Sequence, residues 1–250
     1  MNVPYLVSIH GGHSGQFCGH AQNTLEEIIL AYIDQGYFWV GITEHMPPTS
    51  DAFVYPEEKS AGLDARALKE RFAVYMTTCR EFQAKYANDI RIYVGFETED
   101  YRGSIDFAKA LITAFSPDYV VGSVHHVKDI PFDYSKGCYD QAIDCCGGLD
   151  GLYACYFDQQ YEMIQALKPR VVGHLDGLIL DFNLRPLSRG GDEPYLSAPI
   201  LKKACEMRID IVPGDDSHGV DTIGSHMHRA IGMLRAAGLS TAWRKPVDEP

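Results

Sequence analysis

Short apolar, β-branched runs alternate along this chain with amphipathic stretches of helical length, and that alternation restricts the fold more than any other feature. The runs are Tyr5 to Ile9, Phe38 to Ile42, Ile90 to Gly95, Tyr119 to Ser123, Arg170 to Gly173, Leu178 to Phe182 and Ile209 to Pro213. Helical patterns occupy Thr24 to Gly36, Asp64 to Lys85, Ile105 to Phe115, Gln159 to Leu167, Ser197 to Met207 and Ser225 to Ala237. The first has clear boundaries: Thr24 can cap it, Glu27 follows three residues on as in a capping box, and Gly36 lies past the last turn. Strand and helix in turn argue for a parallel sheet with crossover helices. At 250 residues and 46% hydrophobic, the chain suits one α/β domain spanning residues 1–250.

Two stretches stand outside the scheme. Gly137 to Tyr156, rich in Gly, Cys and Tyr, reads as a lid-like insertion. Between the runs ending at Gly173 and beginning at Leu178 lie only His174, Leu175, Asp176 and Gly177, whereas parallel neighbours need a crossover of about a dozen residues. Either one run is not a separate parallel strand or a crossover segment is missing near residues 177–178.

Charge and cysteine content exclude several classes of function. A net charge of −12 with no Lys or Arg run is unsuited to a phosphate backbone or an anionic membrane surface, so neither nucleic acid nor membrane is expected as a partner. A small phosphorylated molecule remains compatible, because bound cations reverse the local potential in a pocket. Seven cysteines, odd in number and without a paired CxxC layout, suggest reduced thiols and a cytoplasmic protein. The amino-terminal segment lacks the basic and long apolar regions of a signal peptide, and no apolar stretch approaches the length of a membrane span. Oligomeric state is not legible.

The chemistry gathers where the apolar runs end. There stand His10 and His13 with His20 nearby, Glu44-His45, Glu97, His125-His126, His174 with Asp176, and Asp215-Asp216 with His218. In a parallel barrel the carboxyl ends of the strands converge on one mouth. Taken singly, each histidine is more often a hydrogen-bonded structural or surface residue than a ligand; repetition at strand end after strand end points to metal. Imidazoles and carboxylates are the ligands of Zn, Mn or Fe, and a cluster this rich exceeds one tetrahedral ion. Two or three divalent transition metals are expected, with Glu97 as the candidate bridge. His126 should point the other way by strand alternation. His226 and His228 read as surface or packing residues, Glu99 and Asp100 read as well as a solvated turn as anything catalytic, and Cys18 could line the mouth without ligating. Neither a GxSxG elbow nor a GxxxxGK[ST] loop is present.

Taken together, His10/His13-Ser14-Gly15-Gln16-Phe17-Cys18, Thr43-Glu44-His45, Gly95-Phe96-Glu97, Gly122-Ser123-Val124-His125-His126, Gly173-His174-Leu175-Asp176 and Asp216-Ser217-His218 resemble the motifs of the PHP (polymerase and histidinol phosphatase) family, and most of all its histidinol-phosphatase branch. The resemblance covers about residues 8 to 238 and implies a distorted (β/α)7 TIM-like barrel with three metal ions. It assigns His10, His13, Glu97 and Asp216 to one ion, Glu97, His125 and His174 to a second, and His20, His45 and His218 to a third. It also implies hydrolysis of a phosphomonoester, L-histidinol phosphate of histidine biosynthesis, with Glu97, Asp216 and His218 closest to the chemistry. A PHP-type phosphoesterase for another small ester and a non-catalytic metal-binding module are the alternatives.

Two departures from the family pattern accompany the resemblance. The usual His-x-His opening is here His10-Gly11-Gly12-His13, whose glycines could form a bulge that brings both imidazoles round. The Arg-bearing segment expected after Asp176 is absent, which leaves Arg185 and Arg189 as candidate phosphate contacts.

Overall fold

The computed structural model describes residues 4–172 and 179–247. Seven parallel strands form the central sheet in the order β1 (Leu6–Gly11), β2 (Tyr37–His45), β3 (Arg91–Glu97), β4 (Tyr119–Gly122), β7 (Val171–Val172), β8 (Ile179–Asn183) and β9 (Asp210–Gly214). A separate antiparallel pair, β5 (His126–Val127) and β6 (Ile130–Pro131), follows β4. The sheet curls until its edges meet. The His13 amide donates to the Ser217 carbonyl at 2.8 Å, and the Asp216 amide to the His10 carbonyl at 2.9 Å. The result is a nearly closed, distorted (β/α)7 barrel, as the family resemblance implied; the alternation of strand and helix had anticipated its parallel sheet.

The two faces of the sheet bury different things. Val7, Ile9, Trp39, Tyr93, Tyr119, Val121, Val171, Ile179 and Val212 form a cluster made of strand residues and fill the barrel interior. The intervening side chains, among them Val40, Ile42, Val94, Phe96, Leu180 and Phe182, pack under the helices. Burial on both faces explains why the strands read as near-continuous apolar runs. Inside the barrel the bulk of Tyr119 and Asp181 requires glycine opposite. A Cβ on Gly41 would lie 1.7 Å from Tyr119 Oη, and one on Gly214 would lie 2.2 Å from Asp181 Oδ1.

The helices are α1 (Leu25–Asp34), α2 (Pro56–Ser60), α3 (Ala65–Lys85), α4 (Ser104–Phe115), α5 (Lys136–Cys145), α6 (Leu149–Leu167), α7 (Arg185–Ser188), α8 (Ala198–Met207) and α9 (Met227–Ala236). In α1 the capping box forms as expected: Thr24 accepts from the Glu27 amide and Glu27 from the Thr24 amide. The segment expected as a lid-like insertion is instead helical. It makes α5 and the first turns of α6, whose Ala142 and Leu152 bury against Val127.

Strands β7 and β8 are separate parallel neighbours, with Val171 opposite Ile179 and Val172 opposite Leu180. Only residues 173–178 join them. That junction, and with it His174 and Asp176, lies outside the described residues.

Candidate metal centre

Strand alternation carries the inward face of β2 from Trp39 up to His45, and that of β3 from Tyr93 up to Glu97. Strand β1 reaches the same mouth by an irregular route. Ser8 pairs with Val40 and Gly11 with Ile42, so three steps on β1 match two on β2. This is the bulge that the two glycines suggested. Gly12 has φ +50, and a Cβ there would meet Ile28 Cγ2 at 2.6 Å. Both imidazoles consequently face the barrel mouth, where His10 and His13 are 1% and 0% exposed.

The nitrogens of these histidines are divided in a way that suits metal. His10 Nδ1 meets Thr43 Oγ1 at 3.2 Å, His13 Nδ1 meets Glu44 Oε1 at 2.7 Å, and His125 Nδ1 meets Asp133 Oδ2 at 2.8 Å. Their other nitrogens, His10 Nε2, His13 Nε2 and His125 Nε2, are buried without a hydrogen-bond partner. Oxygens behind each ring fix its tautomer and orientation and leave the inward lone pairs convergent, which is the arrangement a metal ligand needs. Buried nitrogens left this way would otherwise be costly.

Glu97 stands at the centre. Its Oε2 lies 3.5 Å from His10 Nε2 and 3.4 Å from His45 Nδ1, while its Oε1 lies 3.2 Å from His125 Nε2. One carboxylate thus faces two groups of histidines, the position a bridging ligand occupies. Asp216 Oδ1 lies 3.2 Å from His13 Nε2 and 3.7 Å from His10 Nε2. Its backbone is held in the left-handed region at φ 44, and Asn183 Nδ2 donates to its Oδ2 at 3.2 Å. A non-glycine residue in that conformation costs free energy that the surroundings must offset, a feature common at functional sites. Asp215, its neighbour, turns the other way and accepts from Tyr32 Oη and Ser8 Oγ, both at 2.7 Å. It anchors the barrel seam.

Among the described residues three sets of donor atoms lie within 4.8 Å of one another: His10, His13 and Glu97; His45, Glu99 and His125; and His13, Cys18, His45 and His218. The first set, with Asp216 beside it, brings together the residues expected for one ion. The second pairs His125 with Glu99, and Glu97 is also in contact with that histidine. Glu99 is 3% exposed and 2.8 Å from His45 Nδ1, so the reading of this residue as a solvated turn is corrected. The third set contains His45 and His218 as expected, with Cys18 in place of His20. The His20 side chain is 44% exposed and stacks over His218, ring centroids 4.8 Å apart. His126 turns away, as alternation required, into a wall of Phe53, Tyr55 and Tyr101.

The carboxylates set the electrostatics. Burial alone would lower the pKa of His10 and His13, but Glu97 and Asp216 lift His10 to about 9, and Glu44 and Asp216 lift His13 to about 10. Glu97 and Asp216 are held well below the usual carboxylate range by the facing histidines in spite of burial. His20 falls to about 4 and His218 falls further, by burial and by repulsion from neighbouring histidines. The mouth therefore favours positive charge at the Glu97 and Asp216 end and neutral imidazole at the His218 end. Above it opens a cleft of about 340 Å³, lined on one side by Arg185, Arg189 and Tyr195 and on the other by Tyr55, Glu57 and Tyr134.

Sequence reasoning placed Glu44 in the strand-end cluster without a role and missed Asp133, the carboxylates behind His13 and His125, and it left Glu99 as a turn. Glu99 lies two residues beyond Glu97, and strand periodicity alone could have placed it on the same face. Asp133 follows the β5–β6 hairpin, and no sequence pattern ties it to His125.

Residues 11–207 match the PHP domain. The chain belongs to the PHP domain family. Like other PHP proteins it has named relatives: a Schizosaccharomyces pombe protein called probable histidinol-phosphatase is 32% identical over 94% of this chain and 88% of its own length. The histidinol-phosphatase of Saccharomyces cerevisiae is 32% identical over 67% of this chain and 53% of its own length. The PHP barrel also superposes on a crystal structure from Listeria monocytogenes with TM-score 0.76 and 23% identity, covering 90% of this chain and 99% of that one. A histidinol phosphate phosphatase from Lactococcus lactis, solved with zinc, L-histidinol and phosphate, matches with TM-score 0.59 and 14% identity over 95% and 94% of the two chains.

Proposed function

We propose that this PHP domain is a metal-dependent phosphomonoesterase whose substrate is L-histidinol phosphate. The observation that carries the proposal is the set of buried, unpartnered imidazole nitrogens converging on Glu97 beneath the cleft. Two or three divalent transition ions, Zn, Mn or Fe, fit the donor sets, and when bound such ions ionise water near neutral pH and neutralise charge on phosphoryl oxygens. In this reading Glu97 would be shared between ions, His10, His13 and Asp216 would hold one, His125 another, and His45 and His218 a third. His20 and His174 complete the expected ligand set, His174 from outside the described residues. Glu44, Thr43 and Asp133 hold the rings in place. Arg185, whose Nη1 lies 3.5 Å from the Asp216 carbonyl, and Arg189 offer guanidinium groups to the phosphate from the cleft wall. The naming of the relatives supports the choice of histidinol phosphate over other small esters.

The proposal extends to the organisation of the chain. The alignment with the S. pombe relative runs over 271 positions, while 94% of 250 residues is about 235, so about 36 positions have no counterpart here. Together with the six-residue link between β7 and β8, this supports a single domain that lacks a crossover segment near residues 177–178. Among the described residues no helix is long and apolar enough to cross a membrane, and all seven cysteines are free, which supports the cytoplasm as the compartment.

Phosphate release tests the reading. Metal-loaded protein should liberate inorganic phosphate from L-histidinol phosphate faster than from unrelated monoesters. Release from other monoesters alone would overturn the substrate and leave the class standing. Release from none would favour a metal-binding module without catalysis.

A further inference from the structure

We propose that a second, smaller cavity beside the cleft is the pocket for the imidazole ring of the leaving alcohol, with Arg71 and Glu58 as the residues that select the ring. The inference rests on the phosphomonoesterase reading above and deepens it. The cavity measures about 60 Å³ and is lined by residues of α2 and α3 among others. His20, His45, Tyr55 and Glu57 line both this cavity and the cleft that holds Arg185 and Arg189, so the two adjoin. An ester whose phosphate lies in the cleft can therefore extend past Tyr55 into the cavity. A water-sized group needs about 10–15 Å³ of such space, so the cavity has room for roughly four to six of them, the size of a five-membered ring.

Much of the lining is aromatic or aliphatic, which suits a flat ring. Phe53 and Tyr101 stack with ring centroids 4.0 Å apart, and Phe17, Leu68 and Phe72 add apolar surface. Most of its carboxylates are already engaged: Glu44 with His13, Glu57 with Tyr134, and Glu99 with His45 and Tyr55. Two charged side chains keep bonding capacity. Glu58 Oε2 accepts from the Tyr55 amide at 3.0 Å, which fixes the carboxylate, and Oε1 has no hydrogen-bond partner among the described residues. Arg71 is partly buried and has no hydrogen-bond or ion-pair partner among the described residues. A neutral imidazole carries one N–H donor and one bare acceptor nitrogen. Glu58 suits the first and Arg71 the second, a pair of bonds that a phenyl ring or an alkyl chain cannot make.

Phosphate release from two esters separates ring recognition from the phosphate chemistry: L-histidinol phosphate, and alaninol phosphate, which keeps the phosphate and the amine but lacks the ring. The metal-loaded wild type should prefer the first in kcat/KM. Arg71→Met should lower that preference about tenfold, the consequence of losing a hydrogen bond from a charged group, and Arg71→Lys should restore part of it. Gly19→Leu is the second variant. A Cβ on Gly19 meets only Glu57 Cγ at 3.6 Å and Glu58 Cγ at 4.0 Å, so a side chain fits there without strain and takes up space in the cavity. It should lower the same preference. A preference that survives either substitution in folded protein, or a wild type that hydrolyses both esters equally well, would overturn the pocket and leave the phosphatase standing. Phosphate released from neither ester by the wild type would overturn the phosphomonoesterase reading, and this inference with it.

Discussion

Glu44→Gln isolates the contribution of a residue that touches no substrate and is in none of the donor sets, yet fixes one of the ligands. In the wild-type protein Glu44 Oε1 accepts from His13 Nδ1 at 2.7 Å and from the His45 amide at 3.3 Å, while Oε2 accepts from the Ser14 amide at 3.3 Å. A carboxamide has one oxygen, so it can serve His13 or Ser14 but turns an NH2 group toward the other donor. A hydrogen bond to a charged group contributes about 1.5–3 kcal/mol and a neutral one about 1 kcal/mol, so the loss at His13 is about 0.5–2 kcal/mol. That corresponds to roughly 2- to 30-fold in affinity for an ion bound through His13 Nε2, overlapping the range typical of outer partners of metal-bound histidines. Competition titration with a chromophoric zinc chelator measures it. One class of zinc site should weaken about tenfold, while ions held without His13 keep their affinity and circular dichroism stays unchanged. Unaltered zinc affinity in a folded variant would refute the reasoning that Glu44 acts through His13.

Gly12→Ala forces a side chain into the left-handed region and against Ile28, so stability should fall by about 2 kcal/mol or more, lowering Tm by roughly 4–8 °C in calorimetry; an unchanged Tm would mean that the β1 bulge is not fixed as described. Asp181 is buried among strand residues without a hydrogen-bond partner for either oxygen, and burial, reinforced by Asp216 and Glu97 against the pull of His10, raises its pKa from 3.8 to about 8. The unfolded chain then holds fewer protons than the folded one between about pH 4 and 8, so this group makes stability fall as pH rises through that window. In metal-stripped protein Asp181→Asn should therefore gain on the wild type by about 1.4 kcal/mol per pH unit across it, read from urea melts at pH 5 and pH 7; a gap independent of pH would contradict the assignment. Zinc at about 100 times its dissociation constant should stabilise the fold by roughly 2.7 kcal/mol, or about 5–10 °C in Tm, and Glu97→Ala should lose most of that gain.

Much of the barrel could be read in the sequence because each strand is buried on both faces and so announces itself as an apolar run, and because α1 carries its own cap. The candidate ligands were legible for a related reason: strand ends are short, and His45, Glu97 and Asp216 closely follow their apolar runs. What escaped depends on geometry between segments remote in the chain. Glu44 and Asp133 matter only because a ring from elsewhere comes to rest against them, and Cys18 joins His13, His45 and His218 only when three loops meet. The Gly137 to Tyr156 stretch looked irregular by composition, yet packing against Val127 holds it as helix, tertiary burial overriding local propensity. The spacing His10-Gly11-Gly12-His13 departs from His-x-His, and the bulge that turns both rings to the mouth is a property of the β1–β2 register.

On this reading the barrel mouth would hold a multinuclear metal centre with Glu97 shared between ions. Anomalous diffraction from crystals of the zinc-loaded protein tests it most directly. Two or three peaks are expected among His10, His13, His45, His125, Asp216 and His218, with the Glu97 carboxylate between two of them. A single peak away from Glu97, or no peak in the mouth at full zinc occupancy elsewhere, would contradict it.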